Sequence, residues 1–200
     1  MEPVKSINQL EALYGVVSAL ALSKVSPRFT PLYQQWIEAS RFLVLTSVGP
    51  DGTDASPRGD DGSVVRVIDS RTLWLPDWRG NNRMDSLRNI VRDGRVSLMF
   101  MVPGSKNVVR VNGTAILTAD ASVTAQFEIK GKHPKTVVVI TVGEVYFQCA
   151  KALMRSRLWQ SADESDQVPS AGAFIKEFQA EFDAKAYDAN YEESAVERMW

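Results

Sequence analysis

The sequence predicts a mainly β protein with helical extensions, an α+β chain in which six or seven short antiparallel strands form a closed or nearly closed barrel. Three observations carry this. Apolar, β-branched runs bounded by turn residues recur from FLVLTSV to KTVVVITVGEVYFQ, and about four of them fall within roughly forty residues. A single helical pattern interrupts the series, and further helical patterns flank it at both ends. An alternating βαβ order is absent, which argues against a doubly wound sheet.

The first helix is read over Ile7–Ser23. Ser6 and Gln9 have capping-box spacing, and Leu10, Leu13, Val17 and Leu20 recur at helical intervals, with Glu11 and Lys24 interrupting the apolar run. That pattern describes an amphipathic helix and not a signal or membrane span. TPLYQQWIEAS reads as a second helix with Thr30 as N-cap and Pro31 at the first position, its Leu32, Trp36 and Ile37 facing a sheet. After Arg41 the period becomes strand-like. FLVLTSV, the turn GPDGT and ASPRGD make a hairpin, and SVVRVID and TLWLP follow. Met84 to Arg92 is helical, with Leu87 and Ile90 inward. RVSLMFMV and VVRVNGTAILTA are strands joined by PGSKN, and Asn112-Gly113 marks a bulge or a close backbone approach. AQFEIKGKHPK reads as a short helix and loop. KTVVVITVGEVYFQ is the most apolar strand and is placed centrally. CAKALMRSRLW and the segment from Phe174 onward are helical.

Charge excludes several functions. Over 200 residues, 23 Lys and Arg balance 24 Asp and Glu, so a net charge of −1 offers no global field for nucleic acid or an anionic membrane. Any anion site is local. Cys149, the only cysteine, rules out an intrachain disulfide and a multi-thiolate metal site, and points to a reducing, cytoplasmic setting. It is expected to be a buried structural thiol.

The stretch TLWLPDWRGNNRMDSLRNI, Thr72 to Ile90, joins a strand, a turn rich in cations and amides, and a helix start. Gly80 permits a tight approach, Asn81 or Asn82 is suited to cap the helix, and Arg79 and Arg83 flank its positive end. Such a helix start suits a phosphate dianion, although a capped surface helix with solvated arginines is the plainer reading. Arg58 sits at a bend between Pro57 and Gly59, and Arg66 lies in a strand among valines, where it is expected to be partly desolvated. Each has a simple alternative in an ion pair with Asp60, Asp61 or Asp69. With Arg83 and Arg110 they suggest one electropositive pocket. His133, between two lysines, reads as an exposed loop residue without a catalytic role. The acidic spacing matches no metal-binding loop, and no side chain stands out as catalytic. A borrowed cofactor would supply the chemistry these side chains lack.

Four segments, SPRGDDGSVVRVID, TLWLPDWRGNNRMDSLRNI, MVPGSKNVVRVNGTA and EVYFQCAKALMRSRLW, together resemble the pyridoxamine 5′-phosphate oxidase-like family, and specifically its group of probable FMN-dependent enzymes. The resemblance runs from about Phe42 to Trp159. It implies a split antiparallel β-barrel, a homodimer with FMN at the subunit interface, and a site holding contacts from both subunits. The flavin-lining strand corresponds to Val65–Ile68, which brings in Arg66, Val67 and Ile68. The phosphate-holding Arg-Lys turn is similar to Asn82-Arg83, with Asn81 beside it and Arg58 or Arg79 available to replace the missing cation. Arg110 and Asn112 stand in a Val-Arg-Ile-Glu-Gly-like strand. Phe147 occupies the place of an aromatic near the cofactor, and Arg157 and Trp159 stand in the segment that corresponds to Arg-Leu-His-Asp-Arg. The substrate histidine of that segment is missing.

The chain is thus expected to be one domain over 1–200, with a helical arm at 1–40, the barrel at 41–159 and a second helical arm at 160–200. The expected function is an FMN-dependent oxidoreductase acting on a small molecule other than pyridoxamine phosphate. The alternative is a non-catalytic flavin, haem or deazaflavin binding protein on the same fold. No nucleic acid, membrane or metal partner is expected.

Overall fold

The computed structural model describes residues 1–200. Its amino-terminal helical pattern divides in two. Ser6 accepts a hydrogen bond from the Gln9 amide and starts α1 (Ile7–Tyr14), Gly15 ends it at φ 73°, and Ser18 caps a separate short helix, α2 (Ala19–Ser23). The single helix expected over Ile7–Ser23 is interrupted because glycine adopts positive φ at little steric cost. Neither α1 nor α2 buries a residue. In α3 (Pro31–Glu38), Thr30 caps the Tyr33 amide and Pro31 occupies the first turn, as expected. The inward stripe is Tyr33, Trp36 and Ile37, whereas Leu32 is exposed. The i, i+3, i+4 set starts one residue later than the sequence reading placed it.

Alternation then sets the strand faces. In β1 (Phe42–Gly49), Leu43, Leu45 and Ser47 are buried and their neighbours are not. A tight turn at Pro50-Asp51 returns the chain as β2 (Gly52–Gly59), with Gly49 opposite Gly52. The next two strands, β3 (Arg66–Asp69) and β4 (Thr72–Asp77), form a second hairpin. The inserted helix α4 (Asp85–Arg92) packs Ile90 and, partly, Leu87 into the core before β5 (Arg95–Met101). The long strand β6 (Val108–Thr118) slips register between Asn112 and Gly113, which confirms the bulge. A Cβ on Gly113 would collide with the Thr141 carbonyl, so this is also a close backbone approach. The short helix α5 (Ala121–Thr124), capped by Asp120, lies upstream of the stretch where one was expected. Residues 126–135 form a loop pinched by an Ile129–Lys132 bridge.

The last strand, β7 (Thr136–Gln148), pairs with β6 on one side and β4 on the other, in the interior position expected of it. Cys149 follows it and is exposed, contrary to expectation, because the chain has passed Gln148, the last residue paired to β6. Then come α6 (Lys151–Ser156), α7 (Ala171–Phe178) and α8 (Ala184–Glu197), with one short 3₁₀ turn at Ser165–Gln167. Asp188 of α8 accepts the Gly172 amide at 2.8 Å and the Ser170 hydroxyl at 2.5 Å, tying α7 to α8. No helix is long and apolar enough to cross a membrane.

All neighbouring strands are antiparallel, in the order β2-β1-β5-β6-β7-β4-β3. The sheet does not close, since β2 and β3 are its edges, and it curls around a core that includes Leu43, Leu98, Phe100, Val111 and Ile140. This is a split barrel with helices added, an α+β fold.

Candidate functional site

The split itself is the site. β2 and β4 stand first and sixth in the sheet, yet Arg58 of β2 donates through Nη1 to Asp77 Oδ1 of β4 at 2.5 Å. Beside this pair, Trp78 Nε1 donates to Asp60 Oδ2 at 2.9 Å. The curled sheet brings both partners together, and a cleft of about 1790 Å³ opens along this seam. Its walls are residues of β2, the end of β4, the loop into α4, residues 132–136, and Tyr191, Met199 and Trp200. Arg58 pairs with neither Asp60, Asp61 nor Asp69, the partners its sequence position suggested. Asp77 is the partner because the barrel curl, and not chain proximity, decides who meets.

The start of α4 lies on this cleft. Asn82 and Met84 both adopt positive φ, 59° and 61°, so the loop folds tightly into the helix. Met84 is the N-cap residue and no side chain caps the helix. Asn81 instead accepts the Arg83 amide at 3.0 Å through Oδ1, so neither asparagine caps as expected. An uncapped start leaves first-turn N–H groups for a ligand, and an anion is the ligand that the helix dipole favours. Arg83, exposed in the cleft, is hydrogen-bonded to Asp85, and that bond together with the aspartate charge raises the guanidinium above its ordinary range. It therefore stays cationic at any working pH. Asp85 competes for Arg83, so an incoming phosphate must share the guanidinium, whose several N–H donors permit this.

Two buried polar atoms in the cleft have no partner: Arg58 Nε and Thr136 Oγ1. Buried donors and acceptors are almost always satisfied, so these two stand out, as does Trp36 Nε1 away from the cleft. With Arg83 and the α4 start, they fit the donor set that a flavin phosphate and its polar edges require.

Of the residues singled out from sequence, Arg58, Arg79, Asn81, Asn82 and Arg83 come together here. Arg66 and Val67 line a neighbouring hollow of about 310 Å³, which shares Asp60 and Pro76 with the cleft. Arg66 is exposed and not desolvated. It donates to the Gln126 side chain and carbonyl, at 3.1 and 2.8 Å, and lies 4.8 Å from the Phe127 ring centre. Ile68 faces solvent. Arg110 lies on the opposite face of β6 from the buried Val109 and Val111, 5.4 Å from the Tyr146 ring centre. Phe147 is exposed at the end of β7 beside Lys24. Arg157 ends α6 at φ 52°, and Trp159 donates to the Ser105 carbonyl at 2.7 Å. The single electropositive pocket suggested by Arg58, Arg66, Arg83 and Arg110 is therefore not assembled within one chain.

The sequence reading missed Asp77, Thr136, Lys132, Lys135 and Trp200 as cleft residues. Asp77 and Thr136 face each other in the β4–β7 register, a relationship invisible without the pairing. His133 is exposed as expected, and it also lines the cleft, with Nδ1 3.0 Å from the Phe127 carbonyl.

Residues 29–149 match the family model described as Pyridoxamine 5'-phosphate oxidase. The chain belongs to this family. No curated relative matches it. Among solved structures, HupZ of Group A Streptococcus superposes with a TM-score of 0.51 at 16% identity, covering 61% of this chain and 95% of that one. A putative pyridoxamine 5'-phosphate oxidase from Lactobacillus delbrueckii gives 0.49 at 23% identity, covering 60% and 95%. At these identities the likeness is one of fold. The family match covers the barrel from Phe29 to Cys149 and leaves α1, α2, α6, α7 and α8 outside it.

Proposed function

We propose that the protein is an FMN-dependent oxidoreductase that holds the cofactor phosphate at the α4 start and acts on a small molecule other than pyridoxamine phosphate. The observation that carries this is the uncapped helix start beside Arg83, in a cleft where Arg58 Nε and Thr136 Oγ1 lack partners. Proteins of this family bind flavins, and a flavin supplies hydride or electron exchange at its ring system. The chain's own residues supply binding and charge. Arg83 and the backbone N–H groups of α4 hold a dianion. Arg58, fixed by Asp77 through Nη1, keeps its other N–H donors on the cleft wall, and Thr136 adds a hydroxyl from β7. Trp78, anchored by Asp60, adds an aromatic side chain to the same cleft.

Vitamin B6 chemistry is not favoured, because Arg155-Ser156-Arg157-Leu158-Trp159 carries no histidine where the resembling segment has one, and Trp159 is engaged with Ser105. A homodimer completes the site in this reading, with Arg110, Phe147, Arg157 and Trp159 meeting the cofactor held by the partner chain.

The test is spectroscopic. Purified protein should show bound-flavin absorbance or take up added FMN stoichiometrically, and anaerobic NADH or NADPH should bleach it. Absence of FMN uptake would reject the cofactor. FMN binding without reduction by either donor would favour a passive carrier.

A further inference from the structure

Residues 171–200 line the cleft yet are tied to the barrel by very little. Tyr191, Met199 and Trp200 stand on the cleft wall. Helices α7 and α8 nevertheless bury only Gly172, and no residue beyond Val145 belongs to the hydrophobic core. The chain that leads to them, Gln160 to Ala171, is exposed at every residue, and its backbone hydrogen bonds are all local. One hydrogen bond joins residues 171–200 to the barrel, from Lys132 Nζ to the main-chain oxygen of Trp200 at 2.7 Å. Beside it, Lys130 Nζ lies 5.5 Å from the centre of the Trp200 ring.

Within itself the helix pair is tight. Asp188 holds both the Gly172 amide and the Ser170 hydroxyl, and a Cβ on Gly172 would lie 2.6 Å from the Ala184 carbonyl oxygen. The rings of Phe182, Tyr187 and Tyr191 follow one another at 5.4 and 5.6 Å between centres, so the contact continues along α8 to the cleft. A unit that is rigid inside and loosely attached outside moves as one body about its tether.

We propose that α7 and α8 form a strap hinged on residues 160–170, latched across the cleft by Trp200 against Lys130 and Lys132, and that opening of this latch governs how fast a ligand enters and leaves. This is regulation of the site already described and rests on the reading that FMN is its ligand. The barrel side of the latch is set in advance. Lys130 and Gly131 turn the loop at φ 53° and 75°, the Ile129–Lys132 bridge pins it, and buried Pro134 roots it. Charge draws the strap towards that loop: residues 171–200 carry seven carboxylates against three cations, whereas residues 130–135 carry three lysines and no acid. The latch lysines are themselves exposed, so their contacts break readily in water. Opening withdraws Tyr191, Met199 and Trp200 from the cleft wall and eases entry and exit alike, which changes rates and not affinity.

The test compares FMN binding and release by stopped flow in the wild type and in Lys130→Ala/Lys132→Ala. Both rate constants should rise about fivefold or more, the scale of one hydrogen bond together with one exposed cation–π contact. Their ratio, the affinity, should stay within about twofold of the wild type, since a latch that gates entry and exit equally leaves the two end states alone. Unchanged rates would overturn the proposal. So would an affinity loss carried by dissociation alone, which would make the lysines ligand contacts. A second readout needs no cofactor: a nitroxide on Val196→Cys, an exposed position of α8, in a Cys149→Ser background should become more mobile when both lysines are replaced. An unchanged spectrum would overturn the strap. If the wild type takes up no FMN, the cofactor reading fails alone, and the nitroxide still decides whether the latch holds α8.

Discussion

Arg58 Nη1 and Asp77 Oδ1 stand 2.5 Å apart across the split of the barrel, joining strands separated by four others in the sheet. Their side chains are only 20% and 19% exposed. A pair this well covered is costly to halve, because the remaining charge stays desolvated. Arg58→Met should therefore destabilise the fold by about 3 kcal/mol in urea denaturation, the scale for breaking a buried pair. Arg58→Met/Asp77→Leu should recover a large part of that loss. A single-variant loss below about 0.5 kcal/mol would show that the pair behaves as a solvated surface contact.

Arg83 differs in kind. It is exposed and bonded to its neighbour Asp85, so it does little for the fold. Arg83→Ala should weaken FMN binding roughly ten- to a hundredfold, as expected for a charge-assisted hydrogen-bond set, and leave the melting temperature of the cofactor-free protein unchanged. Equal FMN affinity in titrations of the two proteins would remove Arg83 from the phosphate site.

The hairpin that carries Arg66 and Val67 has an acid-sensitive turn. Asp69 Oδ1 accepts the Arg71 amide at 2.6 Å, and this bond, then one from the Thr72 hydroxyl, holds the carboxyl below the usual carboxylate range. A depressed folded-state value stabilises the fold above the unfolded pKa, about 3.9, and that contribution fades as pH falls through the folded value. Asp69→Asn should accordingly melt at a lower temperature than wild type at pH 7. The gap should narrow below about pH 4 and close in stronger acid. A gap that stays constant from neutral pH to pH 2 would mean that the turn does not depend on the carboxylate charge.

Much of this fold is written in local patterns. Leu43, Leu45, Leu98 and Phe100 alternate with half-buried neighbours, and Asn112-Gly113 announces the bulge that brings β6 against Thr141. Thr30 and Pro31 announce α3. What local pattern cannot carry is the curl of the sheet. Asp77 became the partner of Arg58, and Thr136 became a cleft residue, through pairings among β4, β7 and the β2 edge that no short window contains. Gly15 shows the opposite failure, a local signal outweighed by the longer apolar period around it. Within the site, the α4 start was legible because cations, amides and glycine cluster in sequence. The place of Trp200 on the cleft was not, since it reaches Lys132 from 68 positions away.

Arg110, Phe147, Arg157 and Trp159 lie outside the cleft of their own chain, although they stand in segments that resemble cofactor-contacting ones. A two-fold partner would bring such residues to the site without moving any strand. The arm points the same way: Ile7, Leu13 and Leu20 are 67%, 69% and 81% exposed, and α1 and α2 bury nothing within the chain. Sedimentation should therefore give twice the 22.2 kDa of one chain. The sharper test mixes variants. If each site takes residues from both chains, Arg83→Ala and Arg110→Ala homodimers should each bind FMN weakly. Dimers formed by co-expressing the two should regain one tight site, because both substitutions then fall in the same site and the other is intact. A monomer that binds FMN tightly, or an Arg110→Ala homodimer with wild-type affinity, would place the whole site within one chain.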